Sequence, residues 1–225
     1  MTALFVTATG TDIGKTFVTA ALARTFRTQG RTVEALKPVV SGFDMASLES
    51  SDTGVLLAAT GQDLRPERVD AISPWRFGAP LSPDMAGKHE GRSVDFDALL
   101  SLSRDRIASK RDVLLIEGVG GVMAPIDDSH TVLDWMTALG LPVLLVAGSY
   151  LGAISHTLTA LEALGRRGLS VSAIIISETP GSTVDLAETA AAVARFVGPI
   201  DVVALPRLAG PMIDHPTLST LASRL

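Results

Sequence analysis

The chain alternates short runs of apolar, often β-branched residues with longer stretches in which apolar residues recur every three to four positions. This alternation is typical of a parallel sheet covered by helices on both faces. Most of the short runs are apolar throughout, as expected of strands that are buried on both sides. The predicted strands are Leu4–Ala8, Thr32–Leu36, Val113–Glu117, Pro142–Ala147, Ala173–Ser177 and Val202–Leu205.

Helical periodicity fills the intervals between these strands. In the first helix, for example, Val18, Leu22 and Phe26 fall on one face. The predicted helices are Lys15–Gln29, Asp52–Ala59, Asp95–Ser109, Thr131–Leu139, Ala153–Arg166 and Val184–Phe196. Apart from Asp52–Ala59, the segment Ser41–Val94 departs from this rhythm and is rich in Pro, Gly and Ser, which indicates functional loops. The pattern predicts one α/β domain over residues 1–225, with a doubly wound, mainly parallel sheet.

Composition narrows the classes of function. The 225 residues carry a net charge of −5 without a basic block, which argues against a nucleic-acid partner. The longest apolar runs, Val113–Ile116 and Leu141–Ala147, are too short to cross a bilayer, and no signal peptide is recognisable. Cysteine is absent, which excludes thiol nucleophiles and thiolate metal sites. We therefore expect a cytoplasmic enzyme that acts on small molecules without a membrane partner.

A phosphate-binding loop follows the first predicted strand and opens the first helix. Residues Thr9–Thr16 read Thr-Gly-Thr-Asp-Ile-Gly-Lys-Thr. Backbone N–H groups of such a loop converge on phosphate oxygens, helped by the helix dipole. Lys15 is then expected to bridge the β- and γ-phosphates of a triphosphate, and the Thr16 hydroxyl to bind magnesium. Thr9 replaces the first glycine of the general pattern, but the strand-loop-helix context favours a P-loop over a chance match.

Two further strands end in charged residues at the carboxyl edge of the sheet, where open α/β sheets bind ligands. Glu117 precedes the glycine-rich segment 118–121, and a carboxylate at this point can supply a second magnesium ligand. Lys37 leaves the second strand and suits a reaction that builds negative charge on an acceptor. Asp52 opens the next helix, where an N-cap and a metal ligand are equally compatible with the sequence.

In this order and spacing, the motifs resemble those of the dethiobiotin synthetases, the penultimate enzymes of biotin synthesis. The resemblance covers nearly the whole chain. The segments that carry it are Thr11–Thr16, Lys37–Gly42, Ser51-Asp52, Ala79–Pro83, Glu117–Gly121 with Pro125, Leu151–His156 and Leu205-Pro206. It implies a P-loop NTPase-type ligase that uses ATP as co-substrate and Mg2+ as cofactor. Such an enzyme carboxylates 7,8-diaminononanoate with CO2 and closes a urea ring, through a carbamate and a carbamic-phosphoric anhydride.

The resemblance also implies roles for individual residues. It assigns catalysis to Lys37, Lys15 and Thr11, and magnesium binding to Thr16, Asp52 and Glu117. The residues that it assigns to nucleotide binding are Asp12, Ile13, Gly14, Lys15, Thr16, Phe17, Glu117, Ser177, Pro206, Arg207 and Leu208. Those that it assigns to the diamine substrate are Asp12, Lys37, Ser41, Gly118, Leu151, Gly152 and Ser155. The candidates for contact with its methylene chain are Pro80, Leu81 and Val122.

A homodimer is a further implication of the resemblance. In the family the partner subunit holds the substrate carboxylate at a helix N-terminus, which corresponds to Leu151–Ser155 here. Considered alone, this turn is an ordinary strand-to-helix connection. The chain departs from the family at Asp12, which is often glutamate, and at Ser177-Glu178, where the family often has an adenine-recognising asparagine. The second departure predicts a relaxed choice of nucleotide base.

Other classes remain as alternatives. Regulatory ATPases of the partition and septum-positioning type share this fold class, but they carry a second P-loop lysine where this chain has Gly10. The tail Pro216–Leu225 also has a single charged side chain, whereas a membrane-surface helix would be basic. Carboxylate-activating ligases such as cobyrinate amidases typically add a glutaminase domain with a cysteine nucleophile. A pure binding module would not need two lysines and three candidate magnesium ligands.

Overall fold

The computed structural model describes residues 1–109, 111–208 and 215–225. The strands are β1 (Thr2–Ala8), β2 (Val33–Leu36), β3 (Val39–Ser41), β4 (Trp75–Phe77), β5 (Val113–Glu117), β6 (Val143–Gly148), β7 (Val171–Ser177) and β8 (Asp201–Leu205). The α-helices are α1 (Lys15–Thr28), α2 (Asp52–Ala59), α3 (Pro66–Ile72), α4 (Pro83–His89), α5 (Phe96–Ile107), α6 (Val132–Leu139), α7 (Ala153–Arg166), α8 (Leu186–Ala194) and α9 (Pro216–Arg224). A 3₁₀ helix at Met45–Ser50 precedes α2.

Six strands form a parallel sheet in the order β2-β5-β1-β6-β7-β8. All five residues of β5 are buried. Because successive side chains of a strand point to opposite faces, this burial means that helices cover both faces of the sheet. The predicted doubly wound, mainly parallel α/β fold is therefore confirmed, and its six predicted strands lie within two residues of the observed ones.

The centre of the sheet packs on α6. Phe5 of β1 meets the indole ring of Trp135 edge to face, with ring centroids 4.7 Å apart. The Trp135 N–H donates to the Ser103 hydroxyl at 3.1 Å, which satisfies its polar atom inside the core. A capping box formed by Thr131 and Asp134 fixes the start of α6. These contacts anchor β1 in the core, next to the start of the loop that follows it.

The segment between residues 41 and 94 contains more structure than its sequence indicates. β3 and β4 form a two-stranded parallel sheet, and α3 and α4 follow within the same segment. The expectation of loops here was partly wrong, because three-residue strands and seven-residue helices are too short to show a clear periodicity. The tail also forms a helix, α9, which packs against α1. None of the helices within the described residues has the length and apolar character needed to cross a membrane.

Candidate active site

The chain connections diverge beside β1 at the carboxyl edge of the sheet. The helix after β1 leads to β2 on one side, and the helix after β6 leads to β7 on the other. Ligands of open α/β proteins bind in the crevice at such a point. A cavity of about 1320 Å³ lies here, between the loops that follow β1, β3 and β5 and one face of α7. The site residues predicted from the sequence that line it are Thr11, Asp12, Gly14, Lys15, Thr16, Phe17, Lys37, Ser41 and Asp52, together with the chain-contact candidates Pro80, Leu81 and Val122.

The loop between β1 and α1 has the backbone of an anion-binding turn. Asp12 has a φ of 58° and Gly14 a φ of 99°, so both lie in the left-handed region. Within the described residues, no side chain caps the first turn of α1, which leaves its N–H groups for an anion. A Cβ at Gly14 would lie 3.0 Å from the Ser177 hydroxyl oxygen, so the end of β7 touches the start of α1.

Backbone carbonyls hold the ammonium of Lys15. Its Nζ donates to the oxygens of Gly10 at 3.2 Å and Gly120 at 2.7 Å. Burial, followed by the nearby charge of Lys37, lowers the pKa of Lys15 to about 8. The glycine-rich loop after β5 can approach this closely because Gly121 has no side chain. A Cβ at this position would lie only 3.3 Å from the Gly10 backbone. Carbonyl oxygens do not neutralise the ammonium charge, so an anionic phosphate would be a better partner.

Lys37 is paired with two carboxylates. Its Nζ lies 2.5 Å from Glu117 Oε1 and 2.6 Å from Asp52 Oδ2. The Lys37 side chain is 4% exposed, that of Glu117 0% and that of Asp52 42%. Burial alone would lower the pKa of Lys37, but the charges of Glu117 and Asp52 outweigh it and raise that pKa. Lys37 is therefore a fully charged ammonium inside the site.

The carboxylates and a hydroxyl at this point suit a magnesium ion. The Thr16 hydroxyl donates to Glu117 Oε1 at 2.6 Å, and the charge of Lys37 keeps the pKa of Asp52 low in spite of burial. Glu117 Oε2 is buried and has no hydrogen-bond partner among the described residues. Across the described part of the chain, no cluster of three or more His, Cys, Asp or Glu residues has the geometry of a metal site. Magnesium commonly needs only one or two carboxylates when substrate phosphates supply further ligands, so these residues fit it.

Other predicted site residues lie around the cavity without lining it. Gly118 packs against Phe5 and donates its N–H to the Val6 carbonyl, and Ile13 packs on the core. Beyond β8, the N–H of Arg207 donates to the Glu178 carboxylate at 2.7 Å. Pro206 and Leu208, which were also assigned to nucleotide binding, flank Arg207 in the same loop. Leu208 packs on the core.

The turn before α7 is separate from the cavity of its own chain. Leu151, Gly152 and Ser155 are exposed and are not among the described residues that line the cavity. Leu151 is 92% exposed.

Some lining residues were not predicted. His156, Thr159 and Ala163 of α7 face the cavity at helical spacing, which is the signal that could have identified them. The Thr9 hydroxyl, like that of Ser41, is buried without a hydrogen-bond partner among the described residues.

Comparisons with known proteins agree with this geometry. A family model described as an AAA domain matches residues 2–210. The ATP-dependent dethiobiotin synthetase BioD of Methylobacterium nodulans is 50% identical over 203 residues, which cover 88% of this chain and 90% of the relative. The enzyme of the same name from Caulobacter vibrioides is 47% identical over 220 residues, which cover 95% of this chain and 98% of the relative.

Solved structures show the same fold at low identity. The MinC:MinD cell division complex of Aquifex aeolicus matches with a TM-score of 0.54 and 11% identity, over 100% of this chain and 86% of that one. The septum site-determining protein MinD of Pyrococcus horikoshii, complexed with Mg-ADP, matches with a TM-score of 0.51 and 14% identity, over 91% of this chain and 81% of that one. These likenesses concern the fold alone. The curated relatives decide the family, and the chain belongs to the ATP-dependent dethiobiotin synthetases.

Proposed function

We propose that this chain is an ATP-dependent ligase that converts 7,8-diaminononanoate, CO2 and ATP into dethiobiotin, ADP and phosphate. The observation that carries the proposal is the convergence of Lys15, Lys37 and Asp52 on the P-loop cavity, with the buried Glu117 paired to Lys37 behind it. The relatives that bear this enzyme's name support the choice of reaction. The single domain over residues 1–225 and a cytoplasmic location are parts of the same proposal.

The proposed reaction has three steps. One amine of the substrate adds to CO2 and loses a proton, which gives a carbamate. A carbamate oxygen then attacks the γ-phosphorus of ATP, and ADP leaves with the electron pair of the broken P–O bond. In the carbamic-phosphoric anhydride so formed, the second amine attacks the carbonyl carbon, and phosphate and a proton leave as the ring closes. None of these steps needs a covalent nucleophile from the protein.

The residues of the cavity act by position and charge. Lys15 neutralises the β- and γ-phosphates, because the carbonyl oxygens that hold its ammonium among the described residues carry no charge and leave its own available for an anion. Lys37 stabilises the carbamate and the transferring phosphoryl group. The diamine end meets Thr11, Asp12 and Ser41, and the buried Ser41 hydroxyl supplies a hydrogen bond that has no partner among the described residues.

Thr16, Asp52 and Glu117 would hold magnesium. When bound, magnesium supplies charge neutralisation at the phosphate oxygens. The protein's own part is to fix the two carboxylates through Lys37 and Thr16, and to keep Glu117 out of water. Buried carboxylates attract a cation more strongly than exposed ones because water screens them less.

A homodimer completes the proposed site. Leu151, Gly152 and Ser155 lie on the exposed start of α7, outside the cavity of their own chain in the described structure. Within the described residues, no side chain caps the first turn of α7; Ala153 N–H donates to the Tyr150 carbonyl, and the N–H groups of Ile154 and Ser155 are available for a carboxylate. A second copy could therefore present this turn to the tail of the substrate.

A steady-state assay with diaminononanoate, bicarbonate, magnesium and ATP tests the proposal. We expect phosphate and dethiobiotin to form in equal amounts, and omission of the diamine to abolish both. Phosphate release that does not depend on the diamine would show that the chain is an ATPase of another kind.

A further inference from the structure

The ammonium of Lys37 lies where the proposed function requires a metal ion. It contacts Glu117 Oε1 at 2.5 Å and Asp52 Oδ2 at 2.6 Å, which are two of the oxygens available to magnesium. Glu117 and Lys37 are almost inaccessible to water, so each depends on a partner of opposite charge within the protein. Lys37 thus acts as an internal cation for this pair of carboxylates.

A magnesium ion bound to these carboxylates would be a second cation at the place that Lys37 already occupies. Magnesium requires oxygen ligands at about 2.0–2.1 Å. An ammonium that remained within hydrogen-bond distance of Glu117 Oε1 and Asp52 Oδ2 would then face a divalent cation across a few ångströms of poorly screened space. Two carboxylates are neutralised by one divalent cation, which leaves the positive charge of Lys37 without a counterion at this position. Repulsion between the two cations therefore favours movement of the ammonium away from the metal.

The cavity provides the place to which it can move. Lys37 lines it together with Ser41, Lys15 and other residues of the P-loop. Glu117 Oε1 accepts from both the Thr16 hydroxyl and Lys37. When Lys37 leaves, only Thr16 of these two still binds this oxygen, which can then turn towards a metal ion. The four-carbon side chain of Lys37 has enough rotatable bonds for its ammonium to swing from the carboxylates into the cavity while the backbone stays in place.

We propose that Lys37 and a divalent cation exchange places: the metal takes Asp52 and Glu117, and the displaced ammonium enters the cavity to meet the anionic substrate. The identity of that substrate as a carbamate rests on the proposed function, whereas the exchange itself requires only the metal. The exchange makes Lys37 available only after metal has loaded. The metal must therefore bind before the ammonium of Lys37 can meet the substrate.

Metal binding to a variant that lacks the internal cation tests the exchange. Free Mn2+ is followed by electron paramagnetic resonance, without nucleotide or diamine, for the wild type, for Lys37→Met and for Lys88→Met. The last variant is the control, because Lys88 forms an exposed ion pair with Asp128 away from the cavity. We expect Lys37→Met to bind Mn2+ roughly tenfold tighter than the wild type, in the range of ordinary ligand coupling. Equal or weaker binding by Lys37→Met would overturn the proposal.

A second measurement uses the wild type and does not depend on the folding of a variant. The chain has four lysines, so acetylation by acetic anhydride can be followed at each one by mass spectrometry. We expect magnesium alone to raise the labelling rate of Lys37 severalfold and to leave that of the exposed Lys88 unchanged. Protection of Lys37 that persists at saturating magnesium would refute the exchange. Neither measurement contains ATP, CO2 or diamine, so a failed synthetase assay cannot be mistaken for either result.

Discussion

Gly14 is the P-loop position at which an added methyl group should be most costly. Its φ of 99° lies in the left-handed region, which costs a residue with a Cβ about 1–3 kcal/mol. The new Cβ would also lie 3.0 Å from the Ser177 hydroxyl oxygen, and displacement of that hydroxyl from its rotamer costs about 0.5–1.5 kcal/mol. We expect Gly14→Ala to lower the free energy of unfolding by roughly 2–4 kcal/mol, which corresponds to a fall of roughly 5–15 °C in the melting temperature.

The double variant Gly14→Ala/Ser177→Ala separates the two costs. Ser177→Ala removes the close oxygen and leaves its Cβ 3.7 Å from the new methyl group, which is an ordinary contact. When calorimetry compares the double variant with Ser177→Ala alone, Gly14→Ala should therefore lower the free energy of unfolding by roughly 1–3 kcal/mol, which is the backbone cost only. A non-hydrolysable ATP analogue should bind more weakly to both variants, because the altered φ misdirects the loop N–H groups. Unchanged melting of Gly14→Ala would refute the backbone-strain argument.

Three further predictions concern the charges and the base. Because the pKa of Lys15 is about 8 and its ammonium is lost above that pH, affinity for the ATP analogue should fall about tenfold from about pH 7 to about pH 9. Lys15→Arg should bind more weakly but independently of pH in that range, and a wild type without this slope would contradict the pKa argument. Lys37→Ala should bind triphosphate by calorimetry while kcat falls about 10²–10³-fold, so normal turnover would show that Lys37 does not meet the carbamate. CTP and GTP should replace ATP in the phosphate-release assay if Ser177 relaxes base choice, and a strict ATP requirement would exclude that hypothesis.

The sheet was predictable because its strands are long and apolar. β5 and β6 contain five and six consecutive buried residues, and such runs remain visible without any knowledge of their neighbours. β4 has three residues, and in the described part of the chain it pairs with β3, whose residues lie 36 positions before their partners. No local pattern carries that pairing. The boundaries of a single domain stay a prediction.

The candidate site was predictable as a set of positions and not as a set of contacts. Strand ends placed Lys37 and Glu117 at one edge of the sheet, but the ion pair between them spans 80 residues. Likewise, Lys15 binds backbone carbonyls of two glycines. Every residue has such a carbonyl, so the sequence does not indicate which of them contacts the lysine. The lining of α7 was missed because His156 and Thr159 become neighbours of the P-loop only when β6 pairs with β1. Such contacts depend on tertiary packing.

The position of β1 has a consequence for biosynthesis. It precedes the other described strands in the chain, yet its hydrogen-bonding partners are β5 and β6, more than a hundred residues later. Until Val113–Gly148 has been synthesised, at least one edge of this apolar strand stays unpaired and the nucleotide cavity is incomplete. The nascent chain therefore carries an unpaired apolar strand, with its risk of aggregation, until β6 has been translated.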